Sequence, residues 1–370
     1  MIRVLVVDDS AFMRHAIGRV LRAQPDIEVV GSVSDGADAL EAITRLNPDV
    51  VTLDVEMPRM DGISALEVIM REAPRPVVML SSLTEAGAPL TIKALEMGAV
   101  DFVTKPAPPA VSLSSVEAHL LSTVRAAAKA AGRLASSGSG GYRRALPSVA
   151  PRAKSAVTAP GRRADRVLAI GCSTGGPRAL LEVVPKLPGN LPAAVLIVQH
   201  MPAGFTRSLA ERMDQASMLR VREAADGDVP EAGLALLAPG GRHMTLGADG
   251  RVVLVDTPPV HGVRPAVDVL FATIPPVFGA RCVALIMTGM GSDGADGVAT
   301  LRAAGARIVV EDATTAVVYG MPRAVVDRGL ADQALPLPKI APAVTDLVLS
   351  AGAAGAGRGG SAAPRRAVAG

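Results

Sequence analysis

The chain has 370 residues, 49% of them hydrophobic and 20% charged, with a formal net charge of +3. That is material for roughly two domains. No run approaches the ~18 uninterrupted apolar residues of a membrane span, so no membrane insertion is expected, and aromatics at 2% exclude the stacking platforms of single-strand nucleic-acid binders.

Asp8 and Asp9 break the N-terminal apolar run before it reaches signal-peptide length, and Cys172 and Cys282 make no disulfide framework. A cytoplasmic monomer with no nucleic-acid partner is expected. In chain order, apolar runs at 4–7, 27–33, 50–53, 77–80 and 101–104 predict strands, and 11–23, 37–46, 63–71 and 89–97 predict helices between them. Such alternation implies a doubly wound parallel α/β sheet that works at the C-terminal ends of its strands. Composition then shifts: 107–110 is Pro/Ala-rich, 113–134 could hold one Ala-rich helix, and 135–164 is rich in Ser, Gly, Pro, Ala and Arg. The expected division is a domain over 1–107, a linker over 108–164, a second α/β domain over 165–350 and a disordered tail over 351–370.

In the first domain Asp8 and Asp9 follow one strand, Asp54 ends another, Ser81 ends a third and Lys105 follows a fourth. A single strand-end acid merely solvates its loop. Three converging carboxylates repel unless a hard cation such as Mg²⁺ neutralises them, and a carboxylate beside Mg²⁺ and a lysine can attack a phosphoryl group. Asp8-Asp9, the run Leu53-Asp54-Val55-Glu56-Met57-Pro58, Ser81 and Lys105-Pro106 together resemble the receiver domain of two-component response regulators, a flavodoxin-like fold. The resemblance implies Asp54 as phosphoacceptor, a histidine kinase as phosphodonor, and Asp8, Asp9, Asp54 and the Glu56 carbonyl as holders of Mg²⁺. It also implies Ser81 and Phe102 as the switch pair, with Lys105 beside them.

The second domain opens on Ile170-Gly171-Cys172-Ser173-Thr174-Gly175-Gly176, an apolar strand running into Gly-x-Ser-x-Gly and then a helical pattern. Such a turn presents a serine hydroxyl above the sheet; a turn that holds a phosphate, or nothing, has the same pattern. His200 ends the next strand, close enough to serve as a base, whereas His243 suits a structural or substrate-loop role and His261 is a weaker candidate. Asp293 lies at a third strand–loop–helix junction and could orient the histidine or cap the helix. A rival reading takes residues 289–294 as Gly-x-Gly-x-x-Gly with Glu311 as a ribose acid, which would bind NAD. Against it, Asp293 would repel pyrophosphate. A non-catalytic regulator is the third reading, though no helix-turn-helix pattern supports it.

The order Ser–His–Asp departs from the α/β-hydrolase order. The segments 170–177, Gln199-His200-Met201-Pro202, 264–271, 287–294 and Tyr319-Gly320-Met321-Pro322 resemble the catalytic domain of bacterial chemotaxis protein-glutamate methylesterases, with a Rossmann-like doubly wound fold. The resemblance implies ester hydrolysis and glutamine deamidation on chemoreceptor cytoplasmic domains by Ser173, His200 and Asp293. No cofactor is implied for that chemistry. Backbone N–H groups of Thr174 and Met290 are the expected oxyanion donors. The resemblance further implies that the unphosphorylated receiver covers the esterase cleft.

Overall fold

Apolar runs joined to amphipathic stretches form two parallel sheets in the computed structural model, which describes residues 1–82, 87–105, 113–136 and 162–351. Pro106, most of the expected linker and tail residues 352–370 lie outside the described residues.

The N-terminal sheet is built from β1 (Ile2–Val7), α1 (Ala11–Arg22), β2 (Ile27–Val33), α2 (Gly36–Leu46), β3 (Val50–Asp54), α3 (Gly62–Glu72), β4 (Val77–Ser81), α4 (Gly87–Met97), β5 (Asp101–Thr104) and α5 (Leu113–Ser136). Its strands run parallel in the order β2-β1-β3-β4-β5, the flavodoxin-like arrangement. Helix starts are fixed by side chains: Ser10, Asp35 and Asp61 each accept an N–H from the first turn of the helix that follows. Every residue of β3 and β4 is buried, as strands covered on both faces must be. One expectation is corrected here. Composition assigns residues 113–136 to a linker, yet α5 packs on this sheet, and Leu120, Val124 and Ala127 share an apolar cluster with Val4, Val6 and Val78. Burial of that Ala-rich stripe, rather than helix propensity, makes α5 part of the domain.

The second sheet follows from β6 (Val167–Cys172), α6 (Gly176–Val183), β7 (Ala194–Gln199), α7 (Phe205–Ala216), β8 (Arg220–Glu223) and β9 (Leu234–Leu237). After an antiparallel ribbon of β10 (His243–Leu246) and β11 (Val252–Val255) come α8 (Val267–Thr273), α9 (Pro275–Phe278), β12 (Cys282–Ile286), α10 (Ala295–Ala303), β13 (Arg307–Glu311), α11 (Met321–Asp327), β14 (Gln333–Leu335) and α12 (Leu337–Ser350). Strand order is β14-β13-β12-β6-β7-β9-β8, all parallel. β6 pairs with β7 on one side and β12 on the other, so the chain winds outward from it in both directions. The crevice at the C-terminal ends of β6 and β12 is the topological switch point, where sheets of this kind bind ligands.

The two sheets meet through α4 and β5 of the first domain and α6 and α7 of the second. The Phe102 ring stacks on Phe205 with centroids 4.7 Å apart, worth about 1 kcal/mol beyond the area buried. No helix among the described residues is long and apolar enough to cross a membrane.

Candidate active site and phosphoacceptor

β6 ends at Cys172, and the chain turns through residues 173–175 into α6. The turn needs a glycine at 175, where φ is +76°. Ser173 N–H donates to the Thr288 carbonyl at 3.0 Å, which ties the turn to the end of β12. The Ser173 hydroxyl makes no hydrogen bond among the described residues.

β7 runs beside β6 with Cys172 opposite Gln199, so Ser173 and His200 emerge on one rim; His200 N–H donates to the Cys172 carbonyl at 3.3 Å. Gln199 clamps both residues: its Nε2 donates to the carbonyls of Ser173 at 3.0 Å and His200 at 3.1 Å, and its Oε1 accepts from the Cys172 thiol at 3.1 Å. Sequence reasoning passed over Gln199. The available signal was an amide closing an otherwise apolar, fully buried strand.

β12 supplies the third wall. Gly289 passes so near the serine that a Cβ there would lie 2.9 Å from Ser173 Cβ. Asp293 is 3% exposed and accepts the N–H groups of Val267 at 2.6 Å and Asp268 at 3.0 Å, both in the first turn of α8. His200 Nε2 lies 2.8 Å from its Oδ2. Burial alone would raise this carboxyl; the His200 hydrogen bond and charge, with the two N–H groups, hold it below the ordinary carboxylate range. A carboxylate only accepts, so the proton belongs on Nε2, and Nδ1 keeps its lone pair for the serine side. The N–H groups of Thr174 and Met290 have no acceptor among the described residues.

The other candidates sort by their surroundings. His243 is fully buried, accepting from Ala266 N–H at 3.1 Å through Nδ1 and reaching the Pro258 carbonyl at 3.1 Å through Nε2, which is a structural role. His261 sits beside the His200–Asp293 pair, on Asp268. Burial pushes the Cys172 thiol far above its ordinary range, so it offers no thiolate nucleophile. The dinucleotide reading fails on Glu311. Its carboxyl is 1% exposed, pushed up to about 7 by burial, and accepts from Thr288 N–H at 2.8 Å and the Thr315 hydroxyl at 3.0 Å. A ribose acid has to face the crevice; this one braces the loop after β12 from below.

In the first domain the carboxylate oxygens of Asp8, Asp9 and Asp54 lie within 4.8 Å of one another. Lys105 Nζ stands 2.8 Å from Asp8 Oδ2 and 2.5 Å from Asp54 Oδ2. Burial pushes Asp54 up to about 6, with Lys105 pulling against it and Asp8 adding to it. Apart from Lys105, these two buried oxygens have no hydrogen-bond partner among the described residues, and a carboxylate oxygen carries more than one lone pair, so the set fits a hard divalent ion. Glu56 N–H donates to Asp54 Oδ1 at 3.4 Å. Ser81 is buried and takes the Thr91 hydroxyl at 2.8 Å.

β5 carries the link between the two sites. Asp101 is 5% exposed, and its Oδ2 accepts the Gly175 N–H at 3.1 Å, two residues from Ser173. Its other oxygen accepts Phe102 N–H at 2.8 Å. Glu96 of α4 pairs with Arg212 of α7 at the edge of the same contact.

A CheB methylesterase family model matches residues 168–344, and a response regulator receiver domain model matches residues 4–117. A protein-glutamate methylesterase/protein-glutamine glutaminase of Symbiobacterium thermophilum is 52% identical over 357 residues, covering 94% of this chain and 97% of its own. One from Pyrococcus abyssi is 45% identical over 343 residues, covering 92% of this chain and 91% of its own. The crystal structure of the Thermotoga maritima CheB methylesterase catalytic domain is 42% identical and covers 50% of this chain and 98% of its own, with a TM-score of 0.48. With a receiver domain and a Ser/His/Asp crevice on one chain, and relatives this similar along nearly all of it, the chain belongs to the protein-glutamate methylesterase/protein-glutamine glutaminase family.

Proposed function

We propose that the chain removes methyl esters from glutamate side chains on chemoreceptor cytoplasmic helices, and deamidates receptor glutamines, under control of phosphorylation at Asp54. The observation that carries this reading is the His200–Asp293 pair at 2.8 Å, set at the switch-point crevice on the rim that bears Ser173. Ser173 Oγ bonds to the ester carbonyl carbon while His200 Nδ1 takes its proton. Asp293 holds the ring and stabilises the imidazolium. The N–H groups of Thr174 and Met290 receive the developing oxyanion. As the tetrahedral species collapses, the bond to the methoxy group breaks and His200 returns the proton, releasing methanol. Water then attacks the acyl-serine by the same route, freeing the glutamate. With a glutamine substrate the leaving group is ammonia.

Asp54 is the proposed phosphoacceptor: its carboxylate oxygen bonds to phosphorus as the histidine kinase's phosphoryl bond breaks. Asp8, Asp9 and Asp54, with the Glu56 carbonyl, would hold Mg²⁺, which when bound offsets the charge of the phosphoryl oxygens. Lys105 neutralises charge on the other side. Ser81 and Phe102 form the proposed switch. Phe102 stacks on Phe205, at the start of α7 and just beyond the His200 loop, and this supports control through direct domain contact. We assign residues 1–136 to the receiver and 162–351 to the catalytic domain. The test is methanol release from methyl-labelled receptor membranes. Wild-type protein should release label, faster with a small phosphodonor, and Ser173→Ala should release none. Near-normal release by Ser173→Ala refutes the assignment.

A further inference from the structure

Beside the His200–Asp293 pair lies a second histidine–carboxylate pair to which the reaction assigns no role. His261 and Gly262 form the tip of a two-residue hairpin in which Val260 and Val263 exchange hydrogen bonds of 3.1 and 3.0 Å. Both tip residues have positive φ, +53° at His261 and +77° at Gly262. Histidine tolerates that region better than most side chains, but a glycine would occupy it without cost. The turn aims the imidazole at α8, where His261 Nε2 meets Asp268 Oδ2 at 2.9 Å. Asp268 in turn gives its own N–H to Asp293 Oδ1 at 3.0 Å, and its Oδ1 accepts Gly297 N–H at 2.7 Å. The polar atoms of His261, Asp268 and Asp293 all fall within 4.8 Å of one another.

We propose that His261 is a positioning residue: its pairing with Asp268 balances the second carboxylate beside Asp293 and so sets the pH at which the Ser173–His200 machinery switches on. The inference rests on the Ser/His/Asp reading above. Two carboxylates in contact repel, and an unbalanced charge on Asp268 would reach His200 through Asp293 and hold the imidazole in its protonated, unreactive form. Burial, with the Asp293 charge adding to it, holds the Asp268 carboxyl above its ordinary range. The remaining ionisable groups around α8 are engaged elsewhere. Arg264 is turned onto the Asp256 and Thr257 carbonyls, Asp296 of α10 pairs with Arg328, and buried His243 of β10 is bonded on both nitrogens. His261 is thus the side chain placed to answer Asp268.

The experiment measures the pH profile of kcat/KM on full-length protein, using a peptide carrying a labelled glutamyl γ-methyl ester. His261→Gln leaves Asp268 unanswered and moves the acidic limb to higher pH, by about half to one unit for a unit charge two side chains away and partly screened by water. Asp268→Asn removes the negative charge, keeps an acceptor for Gly297, and moves the limb the other way. His261→Lys, which places a cation beside Asp268, returns the limb toward wild type. A merely structural role lowers rates without moving the limb in opposite directions. An unmoved limb in His261→Gln, or shifts of the same sign in both variants, overturns the proposal. His261 is exposed, so its variant folds even where Asp268→Asn does not. Ser173→Ala run in parallel separates the two ideas: activity there defeats the triad reading itself.

Discussion

Asp101 offers the sharpest test of whether the receiver restrains the catalytic domain through their contact. Its carboxyl is buried in the domain interface, bonded to Gly175 N–H, and pushed up to about 7 by loss of water. When the domains part, that carboxyl regains solvent and its value falls toward 3.8. The docked form therefore holds the proton more tightly than the open one. Docking carries no penalty below about pH 4, weakens by about 1.4 kcal/mol per pH unit as pH rises toward 7, and changes little beyond. The whole interval gives roughly 4 kcal/mol as an upper bound, because part of the burial comes from the receiver itself. Asp101→Asn removes the titration while keeping an acceptor for the N–H. The assay is basal methanol release by unphosphorylated full-length protein, taken as the wild-type to Asp101→Asn ratio, in which the pH dependence of the chemistry cancels. That ratio should climb several-fold, at most about tenfold per unit, between pH 5.5 and 7 and then level off. A flat ratio across that range, or one that begins to climb only above pH 7, refutes the argument.

Alternating apolar runs and amphipathic stretches made both parallel sheets legible, because burial on two faces demands uninterrupted strands such as β3, β4 and β6. That Ser173 and His200 share one rim was legible from the turn after β6 and from His200 sitting one strand later, since consecutive parallel strands tend to be neighbours. Asp293 was harder. β12 pairs with β6 across more than a hundred residues, and no local pattern announces which strand fills the other side of a switch point. Its strand–loop–helix junction offered Asp293 as an orienter of the histidine or as a helix cap, and the motif resemblance favoured the first. The helix α5 was foreseen but its place in the first domain was not, because an Ala-rich helix between Pro-rich and Ser/Gly-rich stretches has the composition of a linker until its contact surface is known. Asp101 and Gln199 were invisible for a related reason. Each is a lone polar residue in a strand pattern, and its meaning depends on a partner from another strand or another domain. Glu311 misled because a strand-end acid looks alike whether it faces a ribose or the loop beneath it.

The remaining expectations concern the two sites and the contact between them. His200→Ala should lose about as much kcat as Ser173→Ala, roughly 10⁴-fold or more, and Asp293→Asn somewhat less, in the same methanol assay; full activity in His200→Ala would move the base elsewhere. Asp54→Asn should incorporate no phosphoryl group from a labelled small phosphodonor and lose activation by it, whereas wild-type labelling would displace the acceptor from this position. The last expectation isolates the interface from both sites. Glu96 and Arg212 pair across the domains with side chains 20% and 30% exposed, so solvent limits the pair to about 1 kcal/mol or less. Arg212→Glu replaces that attraction with a repulsion of similar size, a total of about 1–2 kcal/mol against docking, or roughly a 5- to 30-fold rise in the open fraction. Basal activity should rise accordingly, while phosphorylated activity, already drawn from the open form, should barely change. Adding Glu96→Arg rebuilds the pair with its polarity reversed and should bring basal activity back down, because the coupling belongs to the contact and not to either residue alone. If the double reversal stays as active as Arg212→Glu, the contact between α4 and α7 is not what restrains the enzyme.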